Sequence, residues 1–151
     1  MEAAPIASHN DLDNFKAYND AYGFQNGDLM LALVANILKK CATKNEFIGH
    51  IGGDDFIVIC DYHEGEDYCK FVINEFSSQV MSLYRDEDIK NGYIVSKNRS
   101  GVTENFPIAS LSIAGISNKI HSYKNVDNFS KDIAQIKKKC KKQPGNYFEI
   151  L

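Results

Sequence analysis

The sequence predicts an α+β domain in which helices cover a mostly antiparallel sheet. Three observations carry that prediction. From Phe47 to Cys60, two stretches rich in β-branched and aromatic residues flank Gly52-Gly53-Asp54-Asp55, the pattern of a β-hairpin with a tight glycine turn. Apolar residues recur at helical spacing from Met30 to Cys41 and again from Cys69 to Leu83. The elements follow the order β-α-α-β-β-α-β-β-α-β without internal repeat, low-complexity tract or linker, so 1–151 reads as a single domain.

Taken in order, Pro5 to Asn10 is a short strand leading directly into Asp11-Leu12-Asp13-Asn14-Phe15-Lys16. Asn14 to Tyr22 fits a short helix broken near Gly23. Asn26-Gly27-Asp28 reads as the next helix start, with Asn26 as cap and Asp28 favourable to the positive end of the dipole. Met30, Leu33, Val34, Ile37, Leu38 and Cys41 then share one stripe, and Lys39-Lys40 suit its last turn. After the hairpin, Glu64 to Tyr84 reads as one helix burying Cys69, Val72, Ile73, Phe76, Val80 and Leu83. Gly92 to Val95 and Ile108 to Ile116 read as strands, joined by a polar turn around Asn98-Arg99-Ser100-Gly101. Asn128 to Lys141 gives the last helix, with Phe129, Ile133, Ile136 and Cys140 inward. Pro144-Gly145 ends it, and Tyr147 to Leu151 closes the chain as a strand.

At 151 residues and 44% hydrophobic the chain supports one sizeable core. A net charge of -3 argues against a general nucleic-acid or membrane-surface binder. No apolar run is long enough to span a bilayer, and the first residues lack the order of a signal peptide, so a cytoplasmic location is expected. Cys41, Cys60, Cys69 and Cys140 show no C-x-x-C pairing and sit in apolar-periodic segments, which reads as buried, reduced thiols.

The chemistry lies in the acidic residues. Adjacent carboxylates on a rigid hairpin repel unless a cation or a shared proton resolves the conflict. Asp11 and Asp13 end the first strand, and only one of them, Asp11, is expected to share the hairpin's sheet face. If that strand lies beside the hairpin, Asp11 meets Asp54 and Asp55. Such a set of hard oxygens suits Mg²⁺ (or Mn²⁺) and implies metal-assisted phosphoryl or nucleotidyl transfer. Lys16 and the cluster Lys137-Lys138-Lys139, Lys141-Lys142 offer charge for a polyphosphate. The bland alternatives are a solvated turn for the aspartates and a solvated helix face for the lysines. A calcium loop is a poorer match, because position six after Asp11 is Lys16 rather than Gly and no Glu closes the loop.

These pieces together resemble the GGDEF domain of bacterial diguanylate cyclases. Asp11-Leu12-Asp13-Asn14-Phe15-Lys16-Ala17-Tyr18-Asn19-Asp20, then Gly23 and Gly27-Asp28, is similar to that family's D-x-D-x-F-K-x-x-N-D…G-x-x-x-G-D signature. Gly52-Gly53-Asp54-Asp55-Phe56 stands where the name motif stands, and Lys142 with Gly145 matches a C-terminal K-x-x-G. The resemblance implies a nucleotidyl-cyclase-like fold and a homodimer. In it each GTP ribose 3′-hydroxyl attacks the partner's α-phosphate to give cyclic di-GMP and pyrophosphate. By the same resemblance Asp11, Leu12 (through its carbonyl), Asp54 and Asp55 would hold the metals, with Asp54 also activating the hydroxyl. Asn19 and Asp28 would read the guanine, Lys16 and Lys142 would face phosphates, and amides near Asn14 and Phe15 would receive the outer phosphates.

The departures are specific. Asp55 replaces the motif's glutamate and withdraws a carboxylate by one methylene; misplacement by roughly an ångström can cost about a hundredfold in rate. Phe24 stands in place of a His, and Asn146 in place of an Arg that commonly clamps phosphate. Thr43 and Glu46 replace the R-x-x-D inhibitory site. No upstream helix precedes Asp11, so the domain reads as N-terminally truncated. The variant G-G-D-D-F signature resembles GGDEF domains that sit C-terminal to EAL or CBS modules, so fusion to upstream regulatory domains is expected. Three readings stay open: an active cyclase, a degenerate domain that binds GTP as a regulatory input with little turnover, and an interaction domain that keeps only the fold.

Overall fold

Alternation along a strand sends successive side chains to opposite faces of its sheet, and here it sorts the molecule into two unequal layers. A computed structural model describes residues 4–41, 44–62, 65–117 and 126–151. Its elements begin with β1 (Ala4–Asp13), α1 (Phe15–Tyr22), α2 (Phe24–Cys41), β2 (Lys44–Gly52), β3 (Asp55–Tyr62) and α3 (Gly65–Gln79). A 3₁₀ turn (Val80–Leu83) leads to α4 (Asp86–Asn91), β4 (Tyr93–Lys97) and β5 (Thr103–Pro107). The chain ends with β6 (Ser110–Ser117), α5 (Val126–Lys141) and β7 (Tyr147–Ile150).

The main sheet has the order β2-β3-β1-β6-β7, with β1 central. All its pairings are antiparallel except β6 with β7, so the mostly antiparallel α+β sheet stands as the sequence predicts. Ile6, Ser8, Asn10 and Leu12 of β1, with Phe56, Val58 and Cys60 of β3, are buried on the face covered by α1, α2 and α3. Tyr18, Met30, Leu38, Tyr68 and Phe76 fill that thick layer. A Phe76→Ala change there would cost about 3–5 kcal/mol. The Tyr18 hydroxyl donates to the Leu83 carbonyl at 2.6 Å, and its ring stacks on Tyr22 at 4.6 Å. The opposite face is thin: Ala114 and Ile116 lie under Ile136 and Cys140 of α5. All four cysteines are free and buried, and burial pushes the Cys41, Cys60 and Cys140 thiols up to about 11.

Several elements differ from the sequence reading. β1 runs on past Asn10 to Asp13, because β3 pairs with it through Asp11 and β6 through Asp13. α2 begins at Phe24, and Asn26, rather than capping it, donates from its side chain to the Tyr22 carbonyl at 2.8 Å. The helix expected over Glu64 to Tyr84 is divided, and Glu64 itself lies outside the described residues. α3 ends at Gln79, the 3₁₀ turn follows, and Tyr84 is extended so that its hydroxyl accepts the Ala109 N–H at 2.8 Å. α4 is an element the sequence reading lacks; three acidic residues in its first turn suit the dipole, and Gly92 at φ 80° ends it. The strand at 92–95 pairs with β5 in a separate two-stranded sheet and makes no ladder with β6. β5 escapes pattern reading because its residues are almost all exposed.

Candidate functional site

The register Asp11↔Asp55 sets two carboxylates side by side on the α5 face of neighbouring strands. Pairing of Gly52 with Asp55 leaves Gly53-Asp54 as a two-residue loop, and Gly53 supplies the positive φ (54°) that such a loop needs. The Asp54 carbonyl accepts the Leu12 N–H at 3.1 Å, tying the loop to β1. His50 braces it from the other strand, with Nε2 2.7 Å from the Gly53 carbonyl and its ring stacked on Phe56 at 4.6 Å. The result is that one carboxylate oxygen from each of Asp11, Asp54 and Asp55 lies within 4.8 Å of the others.

Burial pushes the Asp11 carboxyl above its usual range, helped by its hydrogen bond with Asp55 and opposed by Lys141. Burial likewise raises Asp54, and the Asp11 charge adds to it. The crowd is partly neutralised from α5. Lys141 Nζ lies 3.1 Å from Asp11 and 2.5 Å from Asp13, and Lys137 Nζ lies 3.5 Å from Asp11 and 3.9 Å from Asp55. His9 approaches Asp55 at 3.8 Å, but burial and the Lys137 charge hold it below the ordinary histidine range. Residues two apart on a strand share a face, so the expectation that only one of Asp11 and Asp13 points this way is overturned; both reach Lys141. Asp13 also accepts the Ser110 hydroxyl at 2.8 Å and the Ser112 hydroxyl at 2.8–2.9 Å. Three carboxylates, two of them raised by burial, form an all-oxygen donor set that fits a hard divalent cation.

Beside Asp54 opens a cleft of about 650 Å³, lined among others by Leu12, Asn14, Phe15, Lys16, Arg99 and Lys141. Asn14 is in the left-handed region (φ 66°) and its side chain caps nothing, so the first turn of α1 presents its amides without a side-chain acceptor.

Not every residue singled out in the sequence converges there. Lys16 lines the cleft, with its ammonium 2.9 Å from Asp20. Asn19 and Asp28 lie outside the lining, Asp28 exposed on α2 and the Asn19 Oδ1 buried without a partner. That oxygen sits where a Cβ on Gly27 would be, 1.6 Å away, which is why position 27 has no side chain. Lys142 is exposed and lines a shallow depression with Asp11, Lys137 and Lys138, while Lys141 enters the cleft. The signal for Lys141 was available: Phe129, Ile133, Lys137 and Lys141 recur every four residues on one helical stripe. Asn146 is structural, accepting the Leu111 N–H and donating to the Ser77 hydroxyl, both at 2.7 Å. Phe24 and Glu46 are exposed, and Thr43 lies outside the described residues. Among the described residues no helix is long and apolar enough to cross a membrane.

Residues 9–91 match the family model described as diguanylate cyclase, GGDEF domain. The diguanylate cyclase DgcP of Escherichia coli is 44% identical over 57 residues, which are 38% of this chain and 17% of that protein. The cyclic di-GMP phosphodiesterase PdeB of Shewanella oneidensis is 48% identical over 52 residues, 34% of this chain and 6% of that protein. The chain therefore spans only a small part of these relatives. The fold is similar to the GGDEF domain of DgcB from Caulobacter crescentus, solved with c-di-GMP, at TM-score 0.66 and 19% identity over 98% of this chain and 78% of that one. With the family model matching more than half of its length, the chain belongs to the diguanylate cyclase GGDEF-domain family.

Proposed function

We propose that this domain acts in cyclic di-GMP signalling by condensing two GTP molecules to cyclic di-GMP with Mg²⁺ or Mn²⁺, as half of a homodimer. The observation that carries the reading is the convergence of Asp11, Asp54 and Asp55, of which Asp54 lines a cleft shared with Lys16, Lys141 and the first turn of α1. In each half-reaction a 3′-oxygen bonds to the partner's α-phosphorus, the bond from that phosphorus to the bridging oxygen breaks, and pyrophosphate leaves. Asp11, Asp54 and Asp55 would hold the metal, with Leu12 beside them; the metal would supply charge for the developing phosphorane oxygens. Asp54, which lines the cleft, would also take the hydroxyl proton. The amides of Phe15 and Lys16 beyond Asn14, with the Lys141 ammonium, would bind the outer phosphates. Asn19 and Asp28 would read the guanine only after Asn19 leaves its seat on Gly27.

A second reading, GTP binding as a regulatory input with little turnover, has its own support. Asp55 lies toward Lys137 and His9 on the α5 side and does not line the cleft, and one relative carries this stretch inside a protein named a phosphodiesterase. On either reading the domain would work fused to upstream modules in the cytoplasm. Incubation with GTP and Mg²⁺ followed by chromatography separates them. Cyclic di-GMP is expected, and calorimetric GTP binding without product would replace the first reading by the second.

A further inference from the structure

The acidic triad has two sides. Asp54 faces the cleft, whereas Asp11 and Asp55 face α5, where Lys137 stands between them. Lys137 continues the inward stripe of Phe129 and Ile133, is only 28% exposed, and its ammonium lies within 4 Å of both carboxylates. Lys137 also lines a largely apolar groove with Ala7, His9 and Ile57 of the sheet, a setting that suits a lysine stem with its head group held toward the carboxylates.

We propose that Lys137 is a selectivity residue of the metal site: its ammonium is a fixed counter-ion on the α5 side of the triad, so that the site takes one divalent ion, on the Asp54 side, rather than two. This rests on the metal reading above. The charge arithmetic favours it. Asp13 shares Lys141 with the triad, so four carboxylates facing two ammonium groups leave two net negative charges, which one divalent ion neutralises, leaving none to hold a second. An ammonium is a compact point charge with no ligand to give, so it fills a cation position without coordinating substrate oxygens.

The test is Mn²⁺ binding to the full chain without nucleotide, followed by electron paramagnetic resonance of the free ion. Wild type is expected to bind one Mn²⁺ per chain, and Lys137→Met to bind a second or to hold the first roughly tenfold more tightly, the effect of one unit charge near a divalent ion after salt screening. Lys137→Arg should restore single occupancy, and melting curves show that each variant folds. Two Mn²⁺ per wild-type chain, or unchanged count and affinity in Lys137→Met, would overturn the proposal while leaving the metal reading intact. No Mn²⁺ binding in either protein would overturn both. Binding that follows the expected pattern in a chain that makes no cyclic di-GMP supports the role of Lys137 and selects the regulatory reading.

Discussion

Two carboxylates on one strand face, Asp11 and Asp13, meet opposite surroundings. Asp13 is matched by two serine hydroxyls and Lys141, so each of its oxygens has a donor. Asp11 has carboxylates for neighbours at Asp54 and Asp55, and lysines oppose only part of that charge. The contrast teaches that acidity alone does not mark a site. A satisfied carboxylate holds the sheet together, and a crowded one is a candidate cation ligand.

Exchanging the two roles gives the largest expected effects. Asp54→Asn should lower cyclic di-GMP formation by roughly a hundredfold or more, since on the proposed reading it removes a metal ligand and the hydroxyl's proton acceptor together. An Asp54→Asn protein of normal turnover would undo the assignment. Asp13→Ala should instead cost about 2 kcal/mol of stability in denaturant melts, through two orphaned hydroxyls and the loss of one of the two carboxylates that Lys141 meets, yet still bind Mn²⁺. Saturating Mg²⁺ should raise the melting temperature of the wild type by about 5 °C, and the rise should vanish in Asp11→Asn.

The same contrast has a pH signature. Burial raises Asp11 and Asp54 above their unfolded values, so the metal-free fold binds protons more readily than the unfolded chain there, and its stability gains as pH falls through their range. His9, lowered by burial, works the other way and loses stability as pH falls through the ordinary histidine range. The acid-side gain should therefore shrink in Asp54→Asn while the His9 loss persists, read by melts from neutral to mildly acidic pH. The smallest effect belongs to the lysines: Lys141→Ala should disturb both stability and Mn²⁺ affinity, whereas Lys142→Ala should stay within about 0.5 kcal/mol of wild type. Equal effects would mean that the cleft does not distinguish them.

Much of this was legible in the chain itself. The hairpin, the start of the first strand and the stripes of α2 and α5 all follow from period and turn chemistry, which are local. What escaped was set by tertiary partners. β1 outruns its apolar pattern because two neighbours pair with Asp11 and Asp13, and β5 forms by pairing alone with hardly any buried residue. The exchange of Lys142 for Lys141 is a matter of helical phase, which a K-x-x-G motif count ignores and the Phe129–Ile133 stripe records.

The closing strand β7 is a clasp. Leu151 donates its N–H to the Gly115 carbonyl at 2.9 Å, and Ile150 crowds the bare backbone of Gly65 and Gly115. Those few residues fasten the far end of the lysine-bearing helix to the sheet, so protease-clipped material lacking Tyr147 to Leu151 would present the aspartates with their counter-charges adrift. Ion affinities measured on such a fragment would describe a different molecule.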